Sequence, residues 1–129
     1  MTKIFCDIAD IKIIKKFNRR KIVKGFTTNP SLIRKAGAKN YSEYCKNILR
    51  TVKKPISFEV FADSEKKIID QALSINKWGK NVYVKIPVTN SKGKFLGKVI
   101  KKLNSDNIKL NITAVYTAKQ TNKILKVIN

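Results

Sequence analysis

The sequence predicts an α/β fold of the (β/α) TIM-barrel type, in which about five βα units are present. Short apolar segments rich in β-branched residues alternate with longer segments of helical periodicity, a pattern typical of parallel strands joined by right-handed crossover helices. An open, doubly wound sheet normally carries a glycine-rich phosphate loop after its first strand, but the sequence contains neither GxGxxG nor GxxxxGKS/T. Isolated polar residues near the ends of the apolar segments also favour a barrel, because barrels place their active sites at the C-terminal ends of their strands.

Five segments are predicted to be strands because each is a short apolar run bounded by turn residues. They are residues 3–9, 22–28, 56–61, 81–89 and 108–115. Helices are predicted between and after them from capping residues and periodic apolar positions. They are a helix over 11–17 that begins at Asp10, one opened by Ser31 and broken by Gly37, one over 42–52, one capped by Asp63 and Ser64 and stopped by Gly79, one over 94–103, and one from Thr117 onward.

Composition bounds the class of protein. The 129 residues suffice for a core, and we expect residues 1–129 to form a single domain. The net charge of +21 favours an anionic partner such as nucleic acid or phosphorylated metabolites. The lysines are spread over nearly every segment and form no run longer than a pair, whereas groove-reading proteins concentrate arginine on one face. A basic nucleic-acid-binding module is therefore a minor alternative, and its binding would weaken steeply with salt.

Metal and membrane signatures are missing from the sequence. It contains no histidine, and its two cysteines, Cys6 and Cys45, are far apart and have no CxxC partner, so we expect no metal and no cofactor. Both thiols are expected to pack in the core. No apolar run approaches about 18 residues, and no charged and apolar leader opens the chain, so we expect a soluble, cytoplasmic protein without a membrane partner.

Lys85 interrupts a segment otherwise suited to a strand that is buried on both faces. Burying an unpaired ammonium group is costly, which favours the neutral amine, and the neutral amine attacks a carbonyl group to form a Schiff base. A structural alternative is that the aliphatic stem of Lys85 packs in the core while its charged end reaches solvent. The neighbouring polar residues help to decide between the two.

Other polar residues stand near the ends of the remaining predicted strands. They are Asp7, Asn29, Glu59, Asn111 and Thr113. Each has a structural explanation by itself: Asp7 as a helix cap, Asn29 as a turn residue, Asn111 as a strand-end residue. The period-two alternation of strands, however, turns Glu59, Lys85 and Asn111 into the barrel interior and their aliphatic neighbours toward the helices. Five strands then direct polar groups to one place.

Three motifs resemble those of the transaldolase family. They are Thr27-Thr28-Asn29-Pro30-Ser31, the Val-Lys-Ile-Pro-Val-Thr segment around Lys85, and Asn111-Ile-Thr113, and their order and spacing match too. The resemblance covers the whole chain, extends to the related fructose-6-phosphate aldolases, and implies the N-terminal portion of a (β/α)8 barrel. It also implies a class I aldolase of the non-oxidative pentose phosphate pathway that needs no metal or cofactor. Such an enzyme transfers a dihydroxyacetone unit from sedoheptulose 7-phosphate or fructose 6-phosphate to an aldose phosphate through a lysine Schiff base.

The resemblance also implies a role for each polar residue. Lys85 would be the Schiff-base nucleophile, Glu59 the acid/base acting through a water, and Asp7 the group that handles the hydroxyl proton during carbon–carbon cleavage. Asn29 and Asn111 would bind hydroxyl groups of the donor substrate. Thr113 would help to hold the catalytic water, and Thr27 would support the site from its strand. Fructose-6-phosphate aldolases carry glutamine where this chain has Glu59, which favours transfer over simple cleavage.

The chain has 129 residues, whereas a closed (β/α)8 barrel typically needs about 200 or more. The segments that would form strands six to eight supply, in the family, the serine and arginine that hold the substrate phosphate, so no residue here is assigned to that role. One interpretation is a truncated member that is completed by a second chain or by homo-oligomerisation. The others are an inactive remnant that acts as an assembly partner, and a fructose-6-phosphate aldolase.

Overall fold

A computed structural model describes residues 1–128 of the protein. Five parallel strands form one sheet in the order β1-β2-β3-β4-β5, curled into a half-barrel. They are β1 Ile4–Asp7, β2 Val23–Thr27, β3 Ile56–Glu59, β4 Val82–Pro87 and β5 Leu110–Thr113. The predicted incomplete (β/α) barrel type is therefore confirmed.

Within residues 1–128, six helices connect and follow the strands. They are α1 Ile11–Asn18, α2 Pro30–Lys35, α3 Tyr41–Thr51, α4 Glu65–Asn76, α5 Gly97–Ser105 and α6 Ala118–Leu125. Side-chain caps fix several helix starts: Asp10 accepts a hydrogen bond from the Ile13 amide, and Thr117 forms a capping box with Gln120. Along residues 1–128, no helix combines the length and the apolar character that a membrane span requires.

One predicted helix start and one predicted helix cap differ from the structure. The helix predicted from residue 94 begins at Gly97, because Phe95 pairs with Thr89 in an antiparallel bridge. The start of α4 lies where it was predicted, but its N-cap Ser64 makes no side-chain capping bond. The Asp63 carboxylate instead accepts hydrogen bonds from the Ser91 amide at 2.8 Å and hydroxyl at 2.7 Å, and the Ser91 amide lowers the pKa of this carboxyl group. Asp63 thus joins two loops rather than capping a helix.

The hydrophobic core lies between the outer face of the sheet and the helices. Strand residues Phe26, Phe58 and Val84 pack there, fully buried, against helix residues such as Ile48 and Ile68. Packing of this kind, in which aliphatic residues alternate along the strands, is what directs the polar residues to the other face.

The two cysteines follow the expectation in different degrees. Cys45 is fully buried in the core, and burial raises the pKa of its thiol to about 12, so it stays protonated. Cys6 is half-buried and packs against the core.

Strand register determines which inner-face residues become neighbours. Glu59 pairs with Lys85, and Lys85 pairs with Asn111, so one row crosses three strands, beginning at the C-terminal end of β3. One pleat below this row, Ser57 lies between Thr27 and Tyr83. Because side chains alternate along a strand, both rows face the concave side of the half-barrel.

Candidate active site

The Lys85 side chain lies on the concave face and is 9% exposed. Its Nζ donates a hydrogen bond to the Thr28 carbonyl at 3.0 Å and lies 3.7 Å from Glu59 Oε2. The Lys85 amino group therefore has a carbonyl and a carboxylate as partners, and it does not reach solvent as the structural alternative would require. The apolar faces of β4 hold it beside one carboxylate and one carbonyl.

Glu59 ends β3 and directs its carboxylate at Lys85. Burial raises the pKa of this carboxyl group, the adjacent Lys85 ammonium lowers it in part, and the negative charge of Asp7 raises it further. The net direction is upward. A carboxyl group whose pKa lies nearer neutrality exchanges protons more readily at physiological pH, which is what acid/base work requires.

Asp7 lies at the C-terminal end of β1, in register with Thr27. Its side chain is exposed and forms no ion pair within residues 1–128. Its negative charge contributes to the raised pKa of the Glu59 carboxyl group.

Asn29 and Thr27 follow one another closely at the end of β2 and have different surroundings. Asn29 Oδ1 accepts a hydrogen bond from the Leu32 amide at 2.9 Å and so caps α2. The sequence offered a turn residue as the structural alternative for Asn29 and predicted Ser31 to open this helix, whereas in the structure Asn29 is the N-cap. Within residues 1–128, the Asn29 Nδ2 group forms no hydrogen bond. The buried Thr27 Oγ1 has no partner in the same part of the chain. It is a polar group available to a ligand or a water.

Asn111 and Thr113 lie on β5, which supplies the far wall of the site. Asn111 Nδ2 donates a hydrogen bond to Ser57 Oγ at 3.0 Å, which fixes the amide beside Lys85. Thr113 is half-buried, pairs in register with Pro87, and accepts a hydrogen bond from the Val88 amide through its carbonyl. The structure thus brings every predicted residue to the C-terminal end of the sheet, and it brings Glu59, Lys85 and Asn111 into direct neighbourhood.

Two residues of the site were not singled out as functional from the sequence. The Thr28 carbonyl binds Lys85, while its hydroxyl donates to the Ser57 carbonyl at 2.9 Å. Ser57 itself is 6% exposed. Its position two residues before Glu59 was a usable signal, because residues i and i+2 of a strand share a face. The role of Thr28 uses a main-chain atom and therefore left no signal in residue type.

A concavity of about 420 Å³ lies below the Lys85 row on the inner face. Its lining is formed by Phe5, Thr27, Ser57, Tyr83, Leu110, Asn111 and Ile112. Among residues 1–128, no group of three or more His, Cys, Asp or Glu side chains lies close enough together to hold a metal ion. The side chains at the strand ends around Lys85, beside this concavity, supply an amine, two carboxylates, and several hydroxyl and amide groups.

The sequence matches the profile of the family described as "Transaldolase/Fructose-6-phosphate aldolase" over residues 4–128. The chain belongs to this family. The resemblance predicted from the motifs is therefore confirmed.

Several members of the family are similar to this chain. A protein of Methanococcus vannielii named "Probable transaldolase" is 39% identical over 118 residues, which cover 92% of this chain and 53% of the relative. A "Probable transaldolase" of Clostridium kluyveri is also 39% identical, with the same coverage. One of Thermoanaerobacter sp. is 38% identical and is covered over 52% of its length. The chain therefore spans about half the length of the curated relatives that it matches.

Proposed function

We propose that the chain carries the Schiff-base centre of a transaldolase-type class I aldolase, with Lys85 as the nucleophile. The observation that supports this most directly is the contact between Lys85 and Glu59, 3.7 Å apart in a nearly buried setting at the C-terminal strand ends. An amine beside an acid/base group is the minimal apparatus for Schiff-base chemistry on a carbonyl compound. Membership of the transaldolase/fructose-6-phosphate aldolase family supports the same assignment.

The proposed first step forms the covalent intermediate. The Lys85 amine attacks the carbonyl carbon of a ketose phosphate and forms a carbinolamine, and loss of water converts this to an iminium ion. Dehydration requires a proton on the departing hydroxyl group. Glu59 supplies this proton through a water molecule, and the raised pKa of its carboxyl group favours that role.

The proposed second step breaks the carbon–carbon bond. Asp7 accepts the proton of the C4 hydroxyl group, the C3–C4 bond breaks, and its electron pair moves into the iminium ion to give an enamine and a free aldose phosphate. The enamine then attacks the carbonyl carbon of the acceptor aldose phosphate, and Asp7 returns the proton to the new hydroxyl group. Hydrolysis of the resulting iminium ion releases the product and Lys85. No cofactor enters this sequence of steps.

Substrate recognition in this proposal uses the polar groups around the nucleophile. Asn111, and Asn29 through its Nδ2, bind hydroxyl groups of the donor, which is sedoheptulose 7-phosphate or fructose 6-phosphate. Thr113 helps to hold the catalytic water, and Thr27, with its unpartnered Oγ1, supports the site from β2. The proposed context is the non-oxidative pentose phosphate pathway.

The phosphate group of the substrate has no assigned partner in this site. We propose that its contacts come from a polypeptide segment that corresponds to the remaining half of the relatives' length. This segment would be joined to this chain or supplied by a second chain, and the second chain could be another copy in a homo-oligomer. The glutamate at position 59 favours transfer, and simple cleavage of fructose 6-phosphate is the alternative activity.

Borohydride trapping tests the proposed function. The protein is incubated with fructose 6-phosphate, reduced with borohydride, digested and examined by mass spectrometry for the secondary-amine adduct. We expect the adduct on Lys85, and we expect Lys85→Arg to abolish it. Lys109→Arg is the matched control, because Lys109 lies over the ring of Tyr83, a neighbour of Lys85 on β4, and should leave the Lys85 adduct intact. An even distribution of adduct over surface lysines would overturn the proposal.

A further inference from the structure

The carbonyl group of Glu59 lies where the pairing of two strands stops. In the β2–β3 ladder, the Thr28 amide donates to the Ser57 carbonyl at 3.1 Å. The next bond of the same series would run from residue 30 to the Glu59 carbonyl, because parallel strands repeat this bond every second residue. Residue 30 is proline and has no N–H group to donate. The sheet therefore cannot satisfy the carbonyl of the residue that faces Lys85.

Tyr41, the first residue of α3, supplies the missing donor. Its hydroxyl group donates to the Glu59 carbonyl at 2.8 Å across 18 residues of sequence. Burial raises the pKa of the Tyr41 phenol far above its ordinary range, so the hydroxyl keeps its proton at physiological pH and remains a hydrogen-bond donor.

The Tyr41 ring packs against other aromatic side chains, while its hydroxyl group binds the Glu59 carbonyl. Its ring meets that of Phe61 edge-on at 5.3 Å and that of Trp78 at 6.2 Å, and Trp78 packs edge-on against Phe58 at 5.8 Å. Phe58 directly precedes Glu59 in β3, so the chain of contacts returns to the same strand. A tyrosine fixed at both the ring and the hydroxyl is a rigid support for the end of β3.

From this arrangement we infer that Tyr41 is a positioning residue for Glu59. By anchoring the Glu59 main chain where the β2–β3 ladder ends, Tyr41 sets the distance between the carboxylate and Lys85 Nζ. The inference rests on the proposed function, because it gives Tyr41 a part in the proton transfer that Glu59 performs. Tyr41 touches neither the substrate nor the reacting atoms and acts only through Glu59.

A matched control is available on the same helix. Tyr44 also donates its hydroxyl group to a main-chain carbonyl, that of Ala9 in the loop between β1 and α1, at 2.8 Å. The variants Tyr41→Phe and Tyr44→Phe therefore remove the same kind of bond from the same element, but only the first releases β3. Both should unfold at similar temperatures, which controls for a general loss of stability.

The experiment is a double-mutant cycle on the rate of Schiff-base trapping with fructose 6-phosphate and borohydride. We expect Tyr41→Phe to slow trapping about threefold to tenfold, the range that corresponds to one neutral hydrogen bond. In the Glu59→Gln background, Tyr41→Phe should have no further effect, whereas the effect of Tyr44→Phe should be the same in both backgrounds. Equal behaviour of the two tyrosine variants would overturn the inference.

A second readout does not depend on activity. The Glu59 carboxyl group is followed by NMR while the pH is changed, and Tyr41→Phe should move its pKa toward the ordinary value because the released carboxylate gains water. Tyr44→Phe should leave the titration unchanged. If wild-type protein gives no Lys85 adduct, the proposed function fails while this titration still decides the inference; an unchanged titration in Tyr41→Phe overturns the inference alone.

Discussion

Glu59 and Lys85 are register partners at the C-terminal ends of two neighbouring parallel strands, and their charged atoms lie 3.7 Å apart. Parallel pairing produces this contact, because residues in register on adjacent strands share a face and lie about 4.8 Å apart. The same row continues to Asn111 on β5. Strand pairing alone therefore brings together the proposed nucleophile, the proposed acid/base group and the proposed binding amide, without a contribution from a loop.

Replacing Glu59 by Gln should separate acid/base function from binding. The substitution keeps the size of the side chain but removes the ionisable proton. In an assembly that transfers the three-carbon unit to erythrose 4-phosphate, we expect transfer to fall by roughly 10² to 10⁴, the usual contribution of a placed acid/base group. A coupled transaldolase assay measures the rate. Equal activity of the variant and the wild type would remove Glu59 from the mechanism.

The raised pKa of Glu59 also predicts how stability depends on pH. Between its ordinary value of 4.5 and the higher folded-state pKa, the folded protein binds more protons at this group than the unfolded chain does. The free energy of unfolding should therefore fall as the pH rises through this window, and the loss should persist above it. Urea denaturation of wild type and Glu59→Gln from pH 4 to pH 7 measures the difference. We expect the variant to gain stability relative to the wild type as the pH rises; a constant difference would show that the Lys85 charge fully offsets the burial.

The faces of the strands could be predicted from the sequence because side-chain alternation is a local property. Lys85 inward requires its i±2 neighbours inward and Val84 and Ile86 outward, and the structure has this arrangement. Alternation likewise places Glu59 and Asn111 on the concave face, next to Lys85 once the register is known. The resemblance in three motifs located the same residues independently of any geometry.

Contacts that depend on distant segments could not be predicted. Tyr41 and Glu59 are 18 residues apart in sequence, and the fold places the start of α3 beside the end of β3. The residue types alone do not predict the hydrogen bond between them. The local sequence predicts that Asp63 caps a helix. In the structure, however, its carboxylate accepts hydrogen bonds from Ser91, which is 28 residues away in sequence. Both cases turn on tertiary packing, which overrides local preference.

Ser57→Ala should weaken both donor binding and the stability of the fold. The Ser57 hydroxyl accepts the hydrogen bond that orients the Asn111 amide, and Asn111 is half-buried, so water can replace part of the lost bond. We expect a stability loss of about 0.5–1.5 kcal/mol together with a roughly tenfold weaker saturation of Schiff-base trapping by fructose 6-phosphate. Ser105→Ala, which removes an exposed hydroxyl on α5, is the control. If both variants saturate at the same concentration as wild type, Asn111 does not bind the donor.

The last prediction concerns the two edge strands of the sheet, β1 and β5. Among residues 1–128, β1 and β5 each pair with one strand only, so each presents a row of unpaired main-chain groups. Phe5 on β1 is 47% exposed and lines the concavity on the inner face. Burial of apolar surface contributes about 25 cal/mol per Å² to the free energy of association. Contact of the inner face with a second molecule would therefore stabilise an assembly strongly.

We therefore expect residues 1–129, expressed alone, to self-associate. Size-exclusion chromatography with light scattering at several concentrations measures the mass. Phe5→Lys places a charge on the exposed edge and should shift the equilibrium toward monomer, because inward-facing charges on edge strands oppose strand pairing. Leu73→Lys is the matched control: Leu73 is 38% exposed on α4, away from both edges, and its replacement should leave the mass unchanged. A wild-type monomer at every concentration, or equal effects of the two lysine substitutions, would show that the open edges do not drive assembly.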